Sequence, residues 1–257
     1  MSDELEVQKT GRALHVTFNR PAQHNALTWS MYDGLLAACE QADSDDDVRV
    51  MVLRGAGGKA FVAGTDIAQF ADFSSGDDGV AYEERISNVT GRLETVRVPT
   101  VAVVDGYCIG GGLLLAAICD LRVATPDARF GAPIARTLGN CLSMNSYAIL
   151  VQHLGPARTL DLVLRARNLT GAEAHAAGFV TELRTAGELD GLVEELVERL
   201  AQHAPLTMWA TREALRRLRV ATLPDGDDLV RTVFGSEDFR HGVQAFVAKQ
   251  RPVWSGR

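Results

Sequence analysis

Pro99–Gly112 reads PTVAVVDGYCIGGG and runs directly into Leu113–Cys119, LLLAAIC. Val101–Val104 has the unbroken apolar character of a buried strand, and Asp105-Gly106 marks a turn. Gly110, Gly111 and Gly112 then open an apolar helix expected over Gly111–Ile118. Glycines at a helix N-terminus leave backbone N–H groups bare, admit a ligand closely and face the positive end of the helix dipole. Such a place can bind a phosphate or stabilise a developing oxyanion. The same glycines would equally serve tight strand–helix packing. The stretch is too short, and too broken by Asp105 and glycine, to span a bilayer.

Upstream, Arg12–Phe18 alternates like a half-buried strand and is stopped by Asn19-Arg20-Pro21. Thr28 is placed to cap a helix through Met31, Leu35, Leu36 and Cys39. Val48–Leu53 predicts a buried strand, Phe61–Asp66 a loop and Val80–Val96 a largely polar helix. Downstream, Leu121–Ala124 predicts a short strand, followed by loop to about Asn140. Helices are expected from Ser143 onward, including Leu189–Leu200, Leu206–Val220 and a last one over Glu237–Trp254. Strands alternating with helices to about residue 135, then helices only, imply an α/β core with a helical C-terminal extension, and the division expected is a core over 1–195 and a helical oligomerisation region over 196–257.

The 257 residues are 46% hydrophobic and 23% charged, enough for one large core. A formal charge of −7 argues against a nucleic-acid binder, whose footprint is basic. Cys39, Cys108, Cys119 and Cys141 form no C-x-x-C pair and no disulfide scaffold. The start, MSDELEVQKT, lacks the pattern of a signal peptide. A cytoplasmic protein without a membrane segment is therefore expected. No H-E-x-x-H occurs, so no metal site is expected, and neither phosphate-loop pattern is present.

Several further segments fall into order around the glycine triplet. They are Asn19-Arg20-Pro21 with Asn25-Ala26-Leu27, Val50–Gly58 (VMVLRGAGG), Lys59–Ile67 (KAFVAGTDI), Cys119–Ala124 (CDLRVA) and Ala128–Pro133 (ARFGAP). Leu154–Arg158, Ala172–Val180 and Glu237–Pro252 continue the series. Together they resemble the crotonase superfamily, the enoyl-CoA hydratase/isomerase family, over nearly the whole chain. The resemblance implies a spiral of ββα units with a helical C-terminal trimerisation region, assembled as a homotrimer or dimer of trimers. It also implies an acyl-CoA thioester substrate, with coenzyme A part of that substrate and no other cofactor. The family's enolate-like anion is held by two backbone N–H groups, which fall here on Thr65 and Gly111.

By the same resemblance, the substrate would run along Ala26, Ala63, Gly64, Asp66, Ile67 and Gly112. Phe246 and Lys249 would reach the coenzyme A of this or an adjacent subunit. Hydratases of the family carry two glutamates, which fall here on Leu114 and Ile134, and neither side chain can move a proton. Ordinary hydration is therefore doubtful. Asn140, Cys141 and Ser143 lie where the acyl group would be lined, although Asn140 and Ser143 would serve equally as helix caps. Glu83 and Glu84 could approach from the preceding helix or simply face solvent. Three readings stay open: an acyl-CoA enzyme without the glutamate pair, stabilising a thioester enolate or oxyanion in a decarboxylation, lyase, isomerase or thioester hydrolase step; a hydratase using other groups such as Glu83 or Glu84; and a non-catalytic acyl-CoA binder.

Overall fold

The computed structural model describes residues 4–257. A hairpin of β1 (Leu5–Thr10) and β2 (Ala13–Phe18) leads through a 3-10 turn into α1 (Trp29–Ser44). β3 (Val50–Gly55) and β4 (Ala60–Ala63) precede α2 (Gly76–Glu94), and β5 (Thr100–Val104) and β6 (Tyr107–Ile109) precede α3 (Gly111–Ile118). β7 (Leu121–Ala124) and β8 (Arg129–Gly131) precede α4 (Ile134–Thr137) and α5 (Met144–Leu164). β9 (Leu169–Thr170), α6 (Gly171–Ala176) and β10 (Glu182–Leu183) follow. The chain finishes in α7 (Leu189–Gln202), α8 (Pro205–Val220), α9 (Asp227–Phe234) and α10 (Glu237–Val247).

The strands form two sheets, ordered β1-β2-β3-β5-β7-β10 and β4-β6-β8-β9. In the units β3–β4, β5–β6 and β7–β8 the first strand joins the large sheet and the second joins the small one, whereas β1 and β2 both join the large sheet. β3, β5 and β7 are parallel neighbours in one sheet, and β4, β6 and β8 are parallel neighbours in the other. The chain therefore climbs as a spiral, one unit per turn. Among the described residues, only the β1–β2 and β8–β9 pairings are antiparallel.

The main core lies where α1, α2, α3 and α5 pack on the sheets, around Phe18, Tyr32, Leu53, Phe61, Leu115 and Phe130. α7 seals the other face of the large sheet, setting Leu189, Leu192 and Val193 on Val50, Val52, Val101 and Val103. A third cluster joins Phe70 and Val80 to Phe234 of α9 and to Phe239 and Val243 of α10. The C-terminal helices thus dock on this chain's own α2.

The strand expected over Arg12–Phe18, the Thr28 cap and the helix over Gly111–Ile118 are all present. Four expectations need correction, the first being the all-helical stretch from Ser143 onward, which contains the two-residue strands β9 and β10. The loop at Phe61–Asp66 begins inside β4, and the loop to Asn140 contains β8 and α4. These strands are only three or four residues long, and partners distant in sequence make them. The last helix ends at Val247 rather than Trp254, with Ala248 closing it.

Candidate active site

β4 and β6 run parallel with Ala63 opposite Ile109, so the segments that leave them emerge side by side. Gly64 (φ 95°) and Gly110 (φ 56°) turn the two chains in the left-handed region that glycine tolerates. Thr65 pairs with Leu27 as an isolated parallel bridge. The bonds of that bridge are made by Thr65's neighbours: Leu27 N–H donates to the Gly64 carbonyl, and Asp66 N–H to the Leu27 carbonyl, both at 2.9 Å. In that geometry Thr65's own N–H points away from Leu27.

On the second segment, Gly110 N–H donates to the Gly131 carbonyl at 2.8 Å. Gly111 is the first residue of α3, so its N–H has no acceptor within the helix. A Cβ at Gly111 would lie 3.4 Å from Thr65 Oγ1. The two residues therefore stand together on the wall of a cavity of about 640 Å³. Gly112, expected at the substrate, does not line this cavity. A Cβ there would sit 2.2 Å from the Val62 carbonyl oxygen, so its role is close packing of α3 on β4.

The Thr65 hydroxyl joins the Tyr32 hydroxyl at 3.0 Å and the Tyr82 hydroxyl at 2.9 Å. Burial pushes both phenols above their ordinary range, which keeps them neutral. This trio ties α1, the β4 segment and α2 at one point on the wall. Leu114 and Ile134 both line the cavity, with Leu113, Leu142 and Leu150. Ala26, Ala63, Gly64 and Ile67 line it, and Phe246 and Lys249 reach it from the end of α10 and just beyond it in the same chain. Asp66 also lines it, but its carboxylate accepts from Arg20 at 3.0 Å and from Ala68 N–H at 3.2 Å, a loop-fixing arrangement.

The Asn140–Ser143 segment divides. Asn140 lines the cavity, and its Oδ1 is buried without a hydrogen-bond partner among the described residues. Cys141 is turned away, its Sγ 3.9 Å from the Leu229 carbonyl in the third cluster. Burial pushes its thiol up to about 12, so no thiolate nucleophile is available there. Ser143 does not line the cavity either. Its hydroxyl caps α5 by accepting from Ser146 N–H, and its own N–H donates to Glu83 Oε2 at 3.0 Å.

Glu83 is the residue that sequence reasoning undervalued, together with Tyr32 and Tyr82. Glu83 is 6% exposed and lines the cavity, whereas Glu84 is exposed. Desolvation raises its carboxyl from 4.5 to about 7, with the Ser143 hydrogen bonds opposing that rise. The missed signal was spacing: Val80, Glu83, Ile86 and Leu93 share one helical face, and Glu83 is the carboxylate in that stripe. Among the described residues, no group of three His, Cys, Asp or Glu gathers as a metal site, and no helix is long and apolar enough to cross a membrane.

Residues 9–257 match the enoyl-CoA hydratase/isomerase family. The chain is 31% identical over 259 residues to a probable enoyl-CoA hydratase of Mycobacterium tuberculosis, across 99% of both. It is also 31% identical over 258 residues to the 2,3-dehydroadipyl-CoA hydratase of Escherichia coli, again across 99% of both. Its structure matches methylmalonyl-CoA decarboxylase in complex with 2-nitronate-propionyl-CoA, with a TM-score of 0.91 and 25% identity over 100% of both chains. It also matches an enoyl-CoA hydratase/carnitine racemase from Magnetospirillum magneticum, with a TM-score of 0.81 and 30% identity.

Proposed function

Because the chain belongs to the enoyl-CoA hydratase/isomerase family, we propose that it turns over a CoA thioester through an enolate held by the backbone N–H groups of Thr65 and Gly111. The observation that carries this reading is that Thr65 and Gly111 stand side by side on the wall of an otherwise largely apolar cavity. Fixed donors in a dry site stabilise a developing oxyanion without reorganisation, each worth roughly 10²–10³ in rate. CoA enters as part of the substrate, and no further cofactor is invoked.

Hydration needs one group to activate water and another to protonate carbon. Leu114 and Ile134, at the positions of the hydratase glutamates, supply neither. Decarboxylation of a thioester with a carboxylate on its α-carbon suits such a site better. The C–C bond breaks, CO₂ leaves, and the electron pair passes into the thioester carbonyl as the enolate. A proton then returns to the α-carbon. The likeness to methylmalonyl-CoA decarboxylase supports this reading. Hydration through Glu83 is the second reading, favoured by that carboxyl's place in the cavity and by the hydratase relatives.

The test is to offer methylmalonyl-CoA, malonyl-CoA and crotonyl-CoA to the purified chain, measuring CO₂ release and loss of conjugated-thioester absorbance. The expected result is CO₂ from an α-carboxyl thioester and little hydration of crotonyl-CoA, with activity lost in Gly111→Pro. Rapid hydration of crotonyl-CoA would favour the second reading. A bound thioester at 100 times its Kd adds about 2.7 kcal/mol of stability, so absence of any rise in Tm would overturn both. Assembly as a trimer or dimer of trimers belongs to the same proposal, supported by an apolar outer face on α8.

A further inference from the structure

Resting on that CoA-thioester reading, we propose that Glu83 is the acid–base residue of the site and exchanges its proton with solvent through a second cavity beside α2. Glu83 lines both spaces. The first is the apolar substrate cavity, and the second is a smaller cavity of about 400 Å³ bounded by Ser87, Asn88, Ser143 and Asp225. A buried carboxylate is ordinarily retained with a cation beside it. Glu83 instead has Ser143 as its hydrogen-bond partner, and no cation pairs with it among the described residues.

The titratable groups near Glu83 come from several elements. Tyr32 belongs to α1, Tyr82 to α2 itself, Cys141 to the loop before α5, and Tyr147 to α5. Burial raises all four, so each is neutral at pH 7. Across the second cavity stand Glu84, Asp225 and Asp227, which add no positive charge. Glu83 is therefore the group in this neighbourhood that changes charge near neutrality, at about 7. That is where a group both gives and takes protons efficiently.

The chemistry balances with one base. The Glu83 carboxylate removes a proton from the α-carbon, and the C–H pair moves into the thioester carbonyl as an enolate held by Thr65 and Gly111. The proton on Glu83 exchanges with water through the second cavity, and the α-carbon is reprotonated. In decarboxylation only the second half operates: protonated Glu83 supplies the proton that replaces CO₂.

The test is wash-in of deuterium at the α-carbon of propionyl-CoA and butyryl-CoA in D₂O, followed by mass spectrometry, with Tm shifts reporting binding. The wild type is expected to exchange, with a rate rising through an inflection near pH 7. Glu83→Gln should bind equally well yet lose exchange by at least about 10²-fold, and Glu83→Asp should recover part of it. Glu195→Gln, exposed on α7 and away from both cavities, should leave the rate unchanged. Ser87→Phe, on the rim of the second cavity, should slow wash-in without weakening binding. Exchange that survives Glu83→Gln but is lost in Gly111→Pro would overturn the role of Glu83 while leaving the oxyanion site standing. Bound thioester without exchange in the wild type would also overturn it, and unchanged wash-in with Ser87→Phe would overturn the route. Absence of any Tm shift would remove the site reading and this inference together.

Discussion

Burial of Glu83 has a thermodynamic consequence separate from any reaction. Its carboxyl ionises near 4.5 in an unfolded chain and near 7 in the fold, because the charged form loses its water there. Between those values the native state keeps a proton that the unfolded state has released. Stability therefore falls as pH rises from 4.5 through 7, and the full penalty applies above 7. A shift of this size corresponds to about 3 kcal/mol. Glu83→Gln removes the titration while retaining an oxygen that can accept from Ser143 N–H. The variant should be more stable than the wild type at pH 8, with the difference shrinking toward pH 5. Urea melts at both pH values check this, and an equal difference at the two would show that the carboxyl is not desolvated. At this scale the sequence was legible where function rests on backbone. The glycine run marks where helix N–H groups lie bare, whereas Thr65 and Gly111 were named as a pair only through the family resemblance. Glu83 was hidden among the charged residues of a mostly polar helix, and only the apolar stripe of Val80, Ile86 and Leu93 reveals the side it faces. Cys141 and Ser143 are two residues apart, yet one turns into the third cluster and the other caps α5. Nothing in their spacing distinguishes them.

α2 carries Tyr82 and Glu83 to the cavity, so its seat on the C-terminal helices governs the site. Ser75 and Asp78 form a capping box that starts the helix at Gly76, earlier than its apolar residues suggest. At Gly79 the helix approaches α9 so closely that a Cβ would lie 2.4 Å from both Cβ and Cγ of Phe234. Those atoms are near the backbone and cannot swing aside. Gly79→Ala should therefore force α2 and α9 apart, costing about 1–3 kcal/mol. For a chain of this size each kcal/mol lowers Tm by roughly 2–4 °C. Because Tyr82 and Glu83 move with α2, turnover should fall more than thioester binding, which calorimetry beside kinetics would reveal. An unchanged Tm would mean that the helices slide at little cost. Elements long enough to show a period, such as β2 and α1, were readable from residue pattern alone, and α3 from its unbroken apolar run. β4, β6 and β8 were not, because each exists only through its neighbour in the small sheet and passes for glycine-rich loop in isolation.

For the molecule as a whole, α8 presents the reverse of an ordinary surface helix. No residue of α8 is buried among the apolar cores; it is held instead through arginines on its inner side. Arg212 donates to Asp120 at 2.7 Å and to the Val96 carbonyl at 2.7 Å, and Arg219 grips both Glu94 oxygens at 2.5 Å. Its outer side carries Leu206, Ala210, Ala214 and Leu218 at four-residue spacing, with Leu215 beside them. Leu206 is 77% exposed and Leu218 is 74% exposed. A contiguous apolar stripe of this kind marks a protein interface, and symmetric copies of the same chain are the commonest occupants. The stripe is thus the surface on which the proposed trimer would close. Leu215→Glu with Leu218→Glu places like charges on that stripe and should yield monomers by light scattering. Phe246, near the end of the chain's own α10, and Lys249 just beyond it line the cavity. The monomeric variant should therefore still show a Tm rise with an acyl-CoA. Persistence of the assembly in the double variant would move the interface elsewhere, and loss of binding on dissociation would mean that a neighbouring subunit completes the site after all.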